Sequence, residues 1–375
     1  MKVVFFPIGE IEDNRLDFAV IAASFQGKWI FVRQKEHHAW EIPGGHREPD
    51  EVIEAAARRE LYEETGALRH TLEAVCHYMV TSGDGTRYGA LFHADITVMG
   101  PLPESEIDEI RLLKELPEQL TYPEIQPLLL QKVLEHMCQK AEAILLRDME
   151  RNINILNFMR NYPVNTVNIA GNSVLVRGKS DENWIYVSSQ GIYDLNLLLN
   201  SLDEGDECFA ALEDWMLTHI VGTREVRSSL SSMKLIYRQQ SPIPPVINDI
   251  VALSPDMAPY IFEHSKYKEF LCVEYIKERI QNGISLGILH QGKPVAWAIT
   301  QDDGAIGFLH VLEEFRGKGY ALSITRKMIQ MLLERGQVPF VQIEEANLPS
   351  MSLALKAGFE KYGRVHWIYL KSQPS

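Results

Sequence analysis

Cysteine is scarce in this chain of 375 residues, and its placement excludes two kinds of structural site. The four cysteines lie more than sixty residues apart, with no C-x-x-C pair: they are Cys76, Cys138, Cys208 and Cys272. Such spacing is typical neither of a disulfide framework nor of a zinc site. We therefore expect reduced thiols in the core or at the surface.

Long apolar runs are also missing, so no stretch is long enough to span a bilayer. Residues 1–7 have too short an apolar segment for a signal peptide and no cleavage-like group of small residues, and they predict a first strand. With 46% hydrophobic and 23% charged residues, the composition is typical of a globular protein. The length predicts two or three domains, and we expect a cytoplasmic protein without a membrane partner.

Basic residues are fewer than acidic ones: the chain has 37 Lys and Arg and 51 Asp and Glu, which gives a net charge of -14. Residues 1–139 carry -11 of this charge, and residues 41–64 and 104–124 carry -5 each. A chain without a basic face is a poor candidate for binding duplex nucleic acid, which requires contacts to phosphates. The two acidic segments instead favour a site that recruits cations.

The hydrophobic pattern of the first part predicts alternating strands and helices. Two strands at 17–25 and 28–35 form a hairpin, and a helix extends from an N-cap at Asp50 to a C-cap at Gly66. Further along, we expect a strand at 88–98, an acidic loop at 104–109 and a helix from about 124 to 140.

The segment from Gly45 to Ala67 fits the pattern G-x5-E-x7-R-E-U-x-E-E-x-G-U, in which U is an apolar residue. Its fixed positions are occupied by Gly45, Glu51, Arg59, Glu60, Leu61, Glu63, Glu64, Gly66 and Ala67. Because Glu60, Glu63 and Glu64 are three and four residues apart, they crowd one helical face. They also lie near the helix C-terminus, where the macrodipole disfavours negative charge. A hard divalent cation such as Mg²⁺, which prefers oxygen ligands, would relieve this repulsion, although a solvated acidic face is the simpler alternative.

This segment resembles the Nudix box at every position, and roughly the first 135 residues resemble a whole Nudix hydrolase domain, which implies an α/β/α sandwich around a mixed sheet. The resemblance implies that a diphosphate linked to another moiety is hydrolysed by water activated on Mg²⁺ or Mn²⁺. By the same resemblance, Glu51 and Arg59 brace the loop, and the metal is bound by Glu60, Glu63, Glu64 and the carbonyl of Gly44. For the general base we favour Glu106, with Glu104 and Glu109 as alternatives; an ordinary exposed loop is equally compatible with this cluster.

The substrate is less well defined by the sequence. Residues 39–46, Tyr88-Gly89 and Leu116-Pro117 resemble the MutT-like branch, which hydrolyses nucleoside triphosphates, including oxidised guanine nucleotides. Either Trp40 or Tyr88 is a candidate for stacking on a base, the alternative being an ordinary core position. The histidines at 37, 38 and 46 are candidates for binding phosphate or metal, but isolated histidines usually do neither.

The second part begins with a mixed pattern at 141–240, followed by a Pro-rich linker at 241–245. From 246 onward we expect an α/β order. The predicted helices are at about 257–264, 273–281, 319–335 and 350–357, and the predicted strands at 285–290, 294–300, 306–312, 339–345 and 364–370.

A glycine-containing loop precedes the helix predicted at 319–335. It consists of Arg316, Gly317, Lys318, Gly319, Tyr320 and Ala321 and fits R-x-x-G-x-A. The backbone N–H groups of a helix start bind anions, glycines let phosphates approach closely, and the two basic side chains add charge.

Together with the segments 347–350 and 356–359, this loop resembles GNAT-type acyltransferases, and residues 246–375 show some likeness to the glycine N-acyltransferase branch. Residues 141–240 are interpreted as a degenerate half of the same mixed α/β fold. The resemblance implies that the loop binds the pyrophosphate of acetyl-CoA or another acyl-CoA, and that Val311 and Asn347 lie along the pantetheine arm. The amine acceptor and the oligomeric state are not indicated.

One departure concerns the general acid, since many GNAT enzymes have a tyrosine where this chain has Ala354. Either another group, for example Tyr362, protonates the leaving thiolate, or the reaction proceeds without a general acid. For the base the candidates are His310, Glu313 and Glu344, each of which also suits an ordinary strand or loop. The main hypothesis is a Mg²⁺-dependent Nudix hydrolase fused to an N-acyltransferase; the alternative makes the C-terminal part a non-catalytic CoA-binding regulator.

Overall fold

The computed structural model describes residues 2–83, 85–238, 242–265, 268 and 271–371. The chain divides into two compact units, each of which is described by itself. The first unit consists of Met1–Lys140 and Leu197–Leu202, and the second of Ala141–Asn196 and Asp203–Ser375.

The first unit is built on a mixed β-sheet. Its elements, in chain order, are β1 (Lys2–Phe6), β2 (Phe18–Phe25), β3 (Lys28–Gln34), β4 (Gly44–His46), α1 (Ile53–Thr65), β5 (Ala67–Ser82), β6 (Gly85–Met99), β7 (Ile107–Leu113) and α2 (Gln126–Leu145). The strand order is β1-β5-β6-β2-β3-β7, and β4 pairs with β2. Strand β2 runs parallel to β6, whereas the other pairs are antiparallel.

The predicted hairpin of β2 and β3 is confirmed, and Ser24 pairs with Trp29 across it. Its two turn residues, Gln26 and Gly27, both have positive φ, at 51° and 74°. A two-residue turn of this kind matches the natural twist of paired strands. The apolar side of these strands packs with α1 in a core that includes Ile21, Ile30 and Leu61.

Helix α1 ends as predicted but starts differently. Gly66 is the C-cap, in the left-handed conformation at φ 69°, and its N–H donates to the Tyr62 carbonyl. At the other end the N-cap is Val52 rather than Asp50, and Asp50 itself has φ 63°. The carboxylate of Asp13 accepts from the Ile53 N–H at 3.1 Å and so satisfies the helix start from a distant part of the chain.

Two further boundaries differ from the sequence predictions because of burial. The segment 104–109 is not all loop: β7 begins at Ile107, which is 3% exposed and pairs with Gln34 of β3. Helix α2 continues past residue 140 to Leu145, since Ala141 and Leu145 are fully buried and extend its apolar face.

The second unit contains the end of α2 after Lys140 and the remaining elements. They are α3 (Met149–Asn161), β8 (Val164–Ala170), β9 (Ser173–Lys179), β10 (Asn183–Ser188), α4 (Ile192–Leu199), β11 (Cys208–Leu212), α5 (Leu217–Val221), β12 (Val226–Tyr237), β13 (Val251–Ala252), α6 (Ala258–Glu263), α7 (Val273–Asn282), β14 (Ser285–His290), β15 (Lys293–Thr300), β16 (Ile306–Val311), α8 (Tyr320–Glu334), β17 (Phe340–Ile343), α9 (Leu348–Ala357) and β18 (Phe359–Leu370). The last three residues of α4 are an exception, because they belong to the first unit. All strands and helices predicted after residue 246 are present, within a few residues of the expected bounds.

These strands form two sheets. One has the order β17-β12-β18-β11-β10-β9-β8, with β10 and β11 parallel, and the other has the order β13-β14-β15-β16. In the larger sheet β18 lies between β11 and β12. Strands that precede residues 241–245 in the sequence therefore alternate there with strands that follow them. The mixed α/β fold class predicted from the sequence is confirmed. The division at 241–245 stays a prediction; Ser241 lies outside the described residues, and 242–245 are neither helix nor strand.

Within the described residues, no helix is both long enough and apolar enough to cross a membrane. All four cysteines belong to this part of the chain, and none of them pairs in a disulfide there. Cys76 and Cys208 are buried, as expected for core thiols, whereas Cys272 is exposed.

Candidate active site

Arg59 lies at the centre of the acidic segment of the first unit. Its guanidinium donates to both carboxylate oxygens of Glu51, at 3.0 and 3.1 Å. It also donates to Glu60 at 2.7 Å, to Glu63 at 3.2 Å and to the His46 carbonyl at 3.0 Å. These contacts raise the pKa of Arg59 and lower the pKa of Glu51, chiefly through their mutual hydrogen bonds. The bracing role implied for Glu51 and Arg59 is thus supported by direct contacts.

Glu64 is the most buried carboxylate of this helix, at 3% exposure. It accepts a 2.8 Å hydrogen bond from the Gly44 N–H, which the pairing of β4 with β2 places beside α1. Burial raises the pKa of Glu64 to about 8, and the nearby charge of Glu60 adds to this effect, whereas the Gly44 bond opposes it. The pKa of Glu60 is also raised by burial, with Arg59 opposing. Both side chains therefore retain an uncompensated need for positive charge.

Glu41 belongs to the same cluster, although sequence reasoning did not select it. One of its carboxylate oxygens is buried without a hydrogen-bond partner in the structure. Burial raises the pKa of Glu41, and the charge of Glu106 raises it further. In the sequence, Glu41 could have been noticed because it lies two residues before Pro43 and three before Gly44.

The charge of Glu106, the favoured base candidate, raises the pKa values of Glu41, Glu60 and Glu64. Glu106 therefore lies near this cluster. Its side chain is exposed and accepts from Gln34 at 3.3 Å. The alternatives are placed less favourably. Glu109 is held in ion pairs with Arg33 and Arg111, and Glu104 is exposed in the loop before β7.

The donor set suits a hard cation. Across the part of the chain that the structure describes, no three His, Cys, Asp or Glu side chains are grouped ready to hold a metal ion. Arg59 accounts for this, because it engages the oxygens of Glu60 and Glu63 that a metal would use. The unpartnered oxygen of Glu41 and the buried carboxylate of Glu64 nevertheless provide oxygen ligands of the kind that Mg²⁺ and Mn²⁺ prefer.

The aromatic and histidine candidates have other environments. Trp40 is 5% exposed, and the guanidinium groups of Arg33 and Arg111 lie over its ring, so it is a core residue and cannot stack on a base. Arg15 covers the ring of Tyr88 at 4.7 Å. The three candidate histidines, His37, His38 and His46, are exposed.

In the second unit, the 316–321 loop leads into helix α8. Gly317 and Gly319 both have φ 77°, a conformation that favours glycine, and the space where a Cβ would project is open at both. Gly319 is the N-cap of α8. Arg316 and Lys318 are exposed beside this helix start, which supports anion binding there.

A cavity of about 690 Å³ lies next to this loop, where the two sheets of the unit present their edge strands β16 and β17. Four of the predicted cofactor residues line it: Val311, Arg316, Ala321 and Asn347. The other predicted cofactor residues, Gly317, Lys318, Gly319 and Tyr320, belong to the same loop and helix start but do not line the cavity.

Strand β16 is irregular along the cavity. Phe308 has φ 52°, which is strained for an aromatic residue, and the pairing register with β15 shifts between Trp297 and Ile299. The shift is a β-bulge, a feature that redirects side chains and is common beside functional sites. His310 stacks on Trp297 with ring centroids 4.7 Å apart.

The candidate acid and base residues of this unit do not all line the same cavity. Ala354, His310 and Glu344 line the 690 Å³ cavity. Tyr362 lines a different cavity of about 440 Å³, beside Lys234, so the expectation that it replaces a general acid at the first cavity is wrong. Glu313 is also poorly placed to act as the base, because 89% of its side chain is exposed to solvent.

Two protein-family models match separate parts of the chain. Residues 13–131 match the NUDIX domain family, and residues 283–368 match the family described as FR47-like protein. A Bacillus subtilis relative named "Putative 8-oxo-dGTP diphosphatase YtkD" is 34% identical over 106 residues. That match covers 27% of this chain and 64% of the relative, so the chain spans less than two thirds of that protein's length.

Two solved structures are also similar. A Drosophila protein from structural genomics shares 14% identity and a TM-score of 0.52, covering 64% of this chain and 97% of its own, and it supports the fold alone. A Bacillus subtilis pyrophosphohydrolase shares 27% identity and a TM-score of 0.32, covering 36% of this chain and 90% of its own. The resemblance predicted from the sequence is confirmed by these two family matches, one in each part of the chain.

Proposed function

We propose that the first unit is a pyrophosphohydrolase acting on a nucleoside triphosphate or another nucleoside diphosphate derivative, with Mg²⁺ or Mn²⁺ as cofactor. The observation that carries this proposal is the buried carboxylate of Glu64 on the helix that Arg59 braces, together with the buried, unpartnered Oε1 of Glu41. The name of the Bacillus relative makes an oxidised guanine nucleotide the first substrate to test.

In this proposal the residues of the chain have distinct roles. Glu60, Glu63 and Glu64, with Glu41 and the Gly44 carbonyl, would hold the cation. When bound, such a cation supplies a more acidic water and neutralises charge on the phosphates. Glu106 accepts a proton from the attacking water, and its exposure leaves room for a substrate beside it. Arg59 keeps the carboxylates in place between turnovers.

The test measures phosphate and pyrophosphate release by the intact protein across nucleoside triphosphates, their oxidised forms and nucleoside diphosphate derivatives, with and without Mg²⁺. Glu63→Gln and Glu64→Gln, singly and together, should lower the release by at least about 100-fold, because each removes an anionic ligand. Glu54→Gln is the matched control, since Glu54 also lies on α1 but forms an exposed ion pair with Arg58. Unchanged release in the Glu63 and Glu64 variants would falsify the proposal.

A second function is supported by the cavity next to the 316–321 loop. We propose that the GNAT-like part transfers an acyl group from acetyl-CoA or another acyl-CoA to an amine, with the loop binding the pyrophosphate. The alternative is a CoA-binding regulator, which the alanine at position 354 favours because it supplies no proton. In the intact protein, acceptor-dependent release of CoA thiol from acetyl-CoA supports transfer, whereas acetyl-CoA binding without thiol release at any amine supports the regulator.

A further inference from the structure

The 690 Å³ cavity of the second unit has two chemically different ends. Arg316 and the start of α8 provide a basic end, whereas Asp302 and a group of aromatic residues lie at the other. Strand β16 runs between them, because Asp302 precedes its first residue and Arg316 follows its last. Its six residues separate the two ends by roughly 16–20 Å. An acyl-CoA bound at the basic end would therefore leave the other end for a second molecule.

Asp302 lies near two like charges, Asp303 and Asp181, and near one opposing charge, Arg279, which lowers its pKa without offsetting burial. Its carboxylate accepts from the Ser180 hydroxyl at 2.6 Å, from the Tyr275 hydroxyl at 3.2 Å and from the Asp303 N–H at 3.0 Å. All three donors are uncharged, and no Lys or Arg of the described residues forms an ion pair with Asp302. Burial raises the pKa of Asp302, and the charges of Asp303 and Asp181 raise it further. A cationic group is the partner that would relieve this cost.

Aromatic rings form much of the wall at this end. Trp184, Tyr275 and Phe308 line the cavity here: Tyr275 donates to Asp302 and contacts Phe308 with ring centroids 6.1 Å apart. Trp184 is anchored by a 2.9 Å hydrogen bond from its indole N–H to Asp181. Aromatic faces attract cations, most strongly where water is excluded. The combination of rings and a carboxylate held by uncharged donors therefore favours an ammonium group with apolar carbon attached.

We propose that the acceptor of the second unit is a cationic amine without a carboxylate, bound by its ammonium group at Asp302 against these aromatic rings. The proposal rests on the acyltransferase function proposed above and narrows its acceptor. It excludes glycine and other amino acids, because their carboxylate would face Asp302, Asp303 and Asp181. In this respect the cavity departs from the glycine N-acyltransferase branch that the sequence resembles.

The reaction balances with acyl-CoA as the only co-reactant. The ammonium group gives one proton to the Asp302 carboxylate, and the neutral nitrogen attacks the thioester carbonyl carbon. A C–N bond forms and the C–S bond breaks, so that CoA leaves with the bonding electron pair on sulfur. The sulfur takes the second proton of the nitrogen, and Asp302 returns its proton to solvent. The products are an amide, CoA thiol and one released proton.

The test uses matched amines that differ only in a carboxylate: 2-phenylethylamine against phenylalanine, and 1,4-diaminobutane against ornithine. With the full-length protein and acetyl-CoA, the amine of each pair should release CoA thiol with a kcat/KM at least about 100-fold higher. Asp302→Asn should lower that kcat/KM at least about 10-fold while the Kd of acetyl-CoA stays within about twofold. Asp256→Asn, at an exposed position of the same unit, is the control.

A measurement of amine binding tests the inference even if no acyl transfer is detected. Calorimetry on the full-length protein should show 2-phenylethylamine binding more tightly than phenylalanine, and this preference should disappear in Asp302→Asn. Thiol release that is equal or greater with the carboxylated partners overturns the acceptor class but leaves the transferase intact. Amine binding without thiol release counts against the transferase alone. Absent amine binding, or equal binding of both partners, overturns the present inference.

Discussion

The two units place their functional carboxylates in opposite surroundings. In the first unit Glu51, Glu60 and Glu63 share one cation, Arg59, and all four residues come from one helix and the loop before it. In the second unit Asp302 is held by neutral hydroxyl and amide donors, and no Lys or Arg among the described residues forms an ion pair with it. In the first arrangement a cation of the protein itself offsets part of the negative charge, whereas in the second the carboxylate has only neutral hydrogen-bond donors.

Removal of Arg59 tests the first half of this contrast. Arg59→Gln leaves the carboxylates of one helical turn facing each other, so the free energy of unfolding should fall by about 2–3 kcal/mol. Hydrolysis should fall by about 100-fold, because the carboxylates lose their fixed positions. Addition of Mg²⁺ should restore part of the lost stability. The measurements are urea unfolding with and without Mg²⁺ and the nucleotide assay.

Arg58→Gln is the matched control for that variant, since Arg58 neighbours Arg59 in sequence but makes an exposed pair with Glu54. Its effect on unfolding should be about 0.5 kcal/mol or less. If the two variants unfold alike, Arg59 does not organise the acidic site.

A smaller effect is expected from Gly45→Ala, which tests how tightly the loop and helix fit. An added Cβ at Gly45 would collide with the carboxylate of Glu60. Glu60 must then move, and we expect hydrolysis to fall by about 10-fold with a stability loss of about 1 kcal/mol. Gly83→Ala, where a Cβ would meet open space, should leave the activity unchanged. Equal activities of the two variants would show that the position of Glu60 is not critical.

A change in stability of opposite sign is expected at Asp302. Because burial, Asp303 and Asp181 raise its pKa in the folded state, the folded protein holds this proton more tightly than the unfolded chain does. Stability contributed by Asp302 is thus present at low pH and declines as the pH rises from the ordinary Asp range toward the raised pKa. Asp302→Asn should therefore stabilise the protein by about 1–2 kcal/mol at pH 8, and by less at pH 5.

Scanning calorimetry at the two pH values checks this expectation. Asp303→Asn is the contrasting variant, since Asp303 accepts hydrogen bonds from Asn154, Gln342 and Ala305 that an amide cannot all retain. It should destabilise the protein at both pH values. A destabilised Asp302→Asn protein would mean that Asp302 is structural rather than strained by its charge.

The comparison also explains what the sequence could predict. The acidic site of the first unit lies within one continuous segment, so helical spacing was enough to bring Glu60, Glu63 and Glu64 together. Strands and helices after residue 246 were equally accessible, because their hydrophobic periods are regular and glycine or proline separates them.

Contacts between distant segments were beyond such reasoning. The start of α1 is capped by Asp13 rather than by Asp50, and nothing in local spacing links Asp13 to that helix. Glu41 is held by backbone pairing with Val32 of β3, which nothing in its local spacing indicates. Tyr362 follows the predicted motif closely in sequence, yet β18 carries it to a different cavity. Each case depends on tertiary pairing, which a single sequence does not specify.

The central place of β18 in the larger sheet has a consequence for the order of folding. Strand β12 pairs with β18 along most of its length, yet all of β13 to β17 is synthesised between them. Until β18 emerges, β11 and β12 each expose an unpaired edge, which is a template for pairing with other chains. Such non-local pairing slows folding and lengthens the time during which these edges are open. We therefore expect the second unit to be the part of the molecule most dependent on protection against aggregation while it is being made.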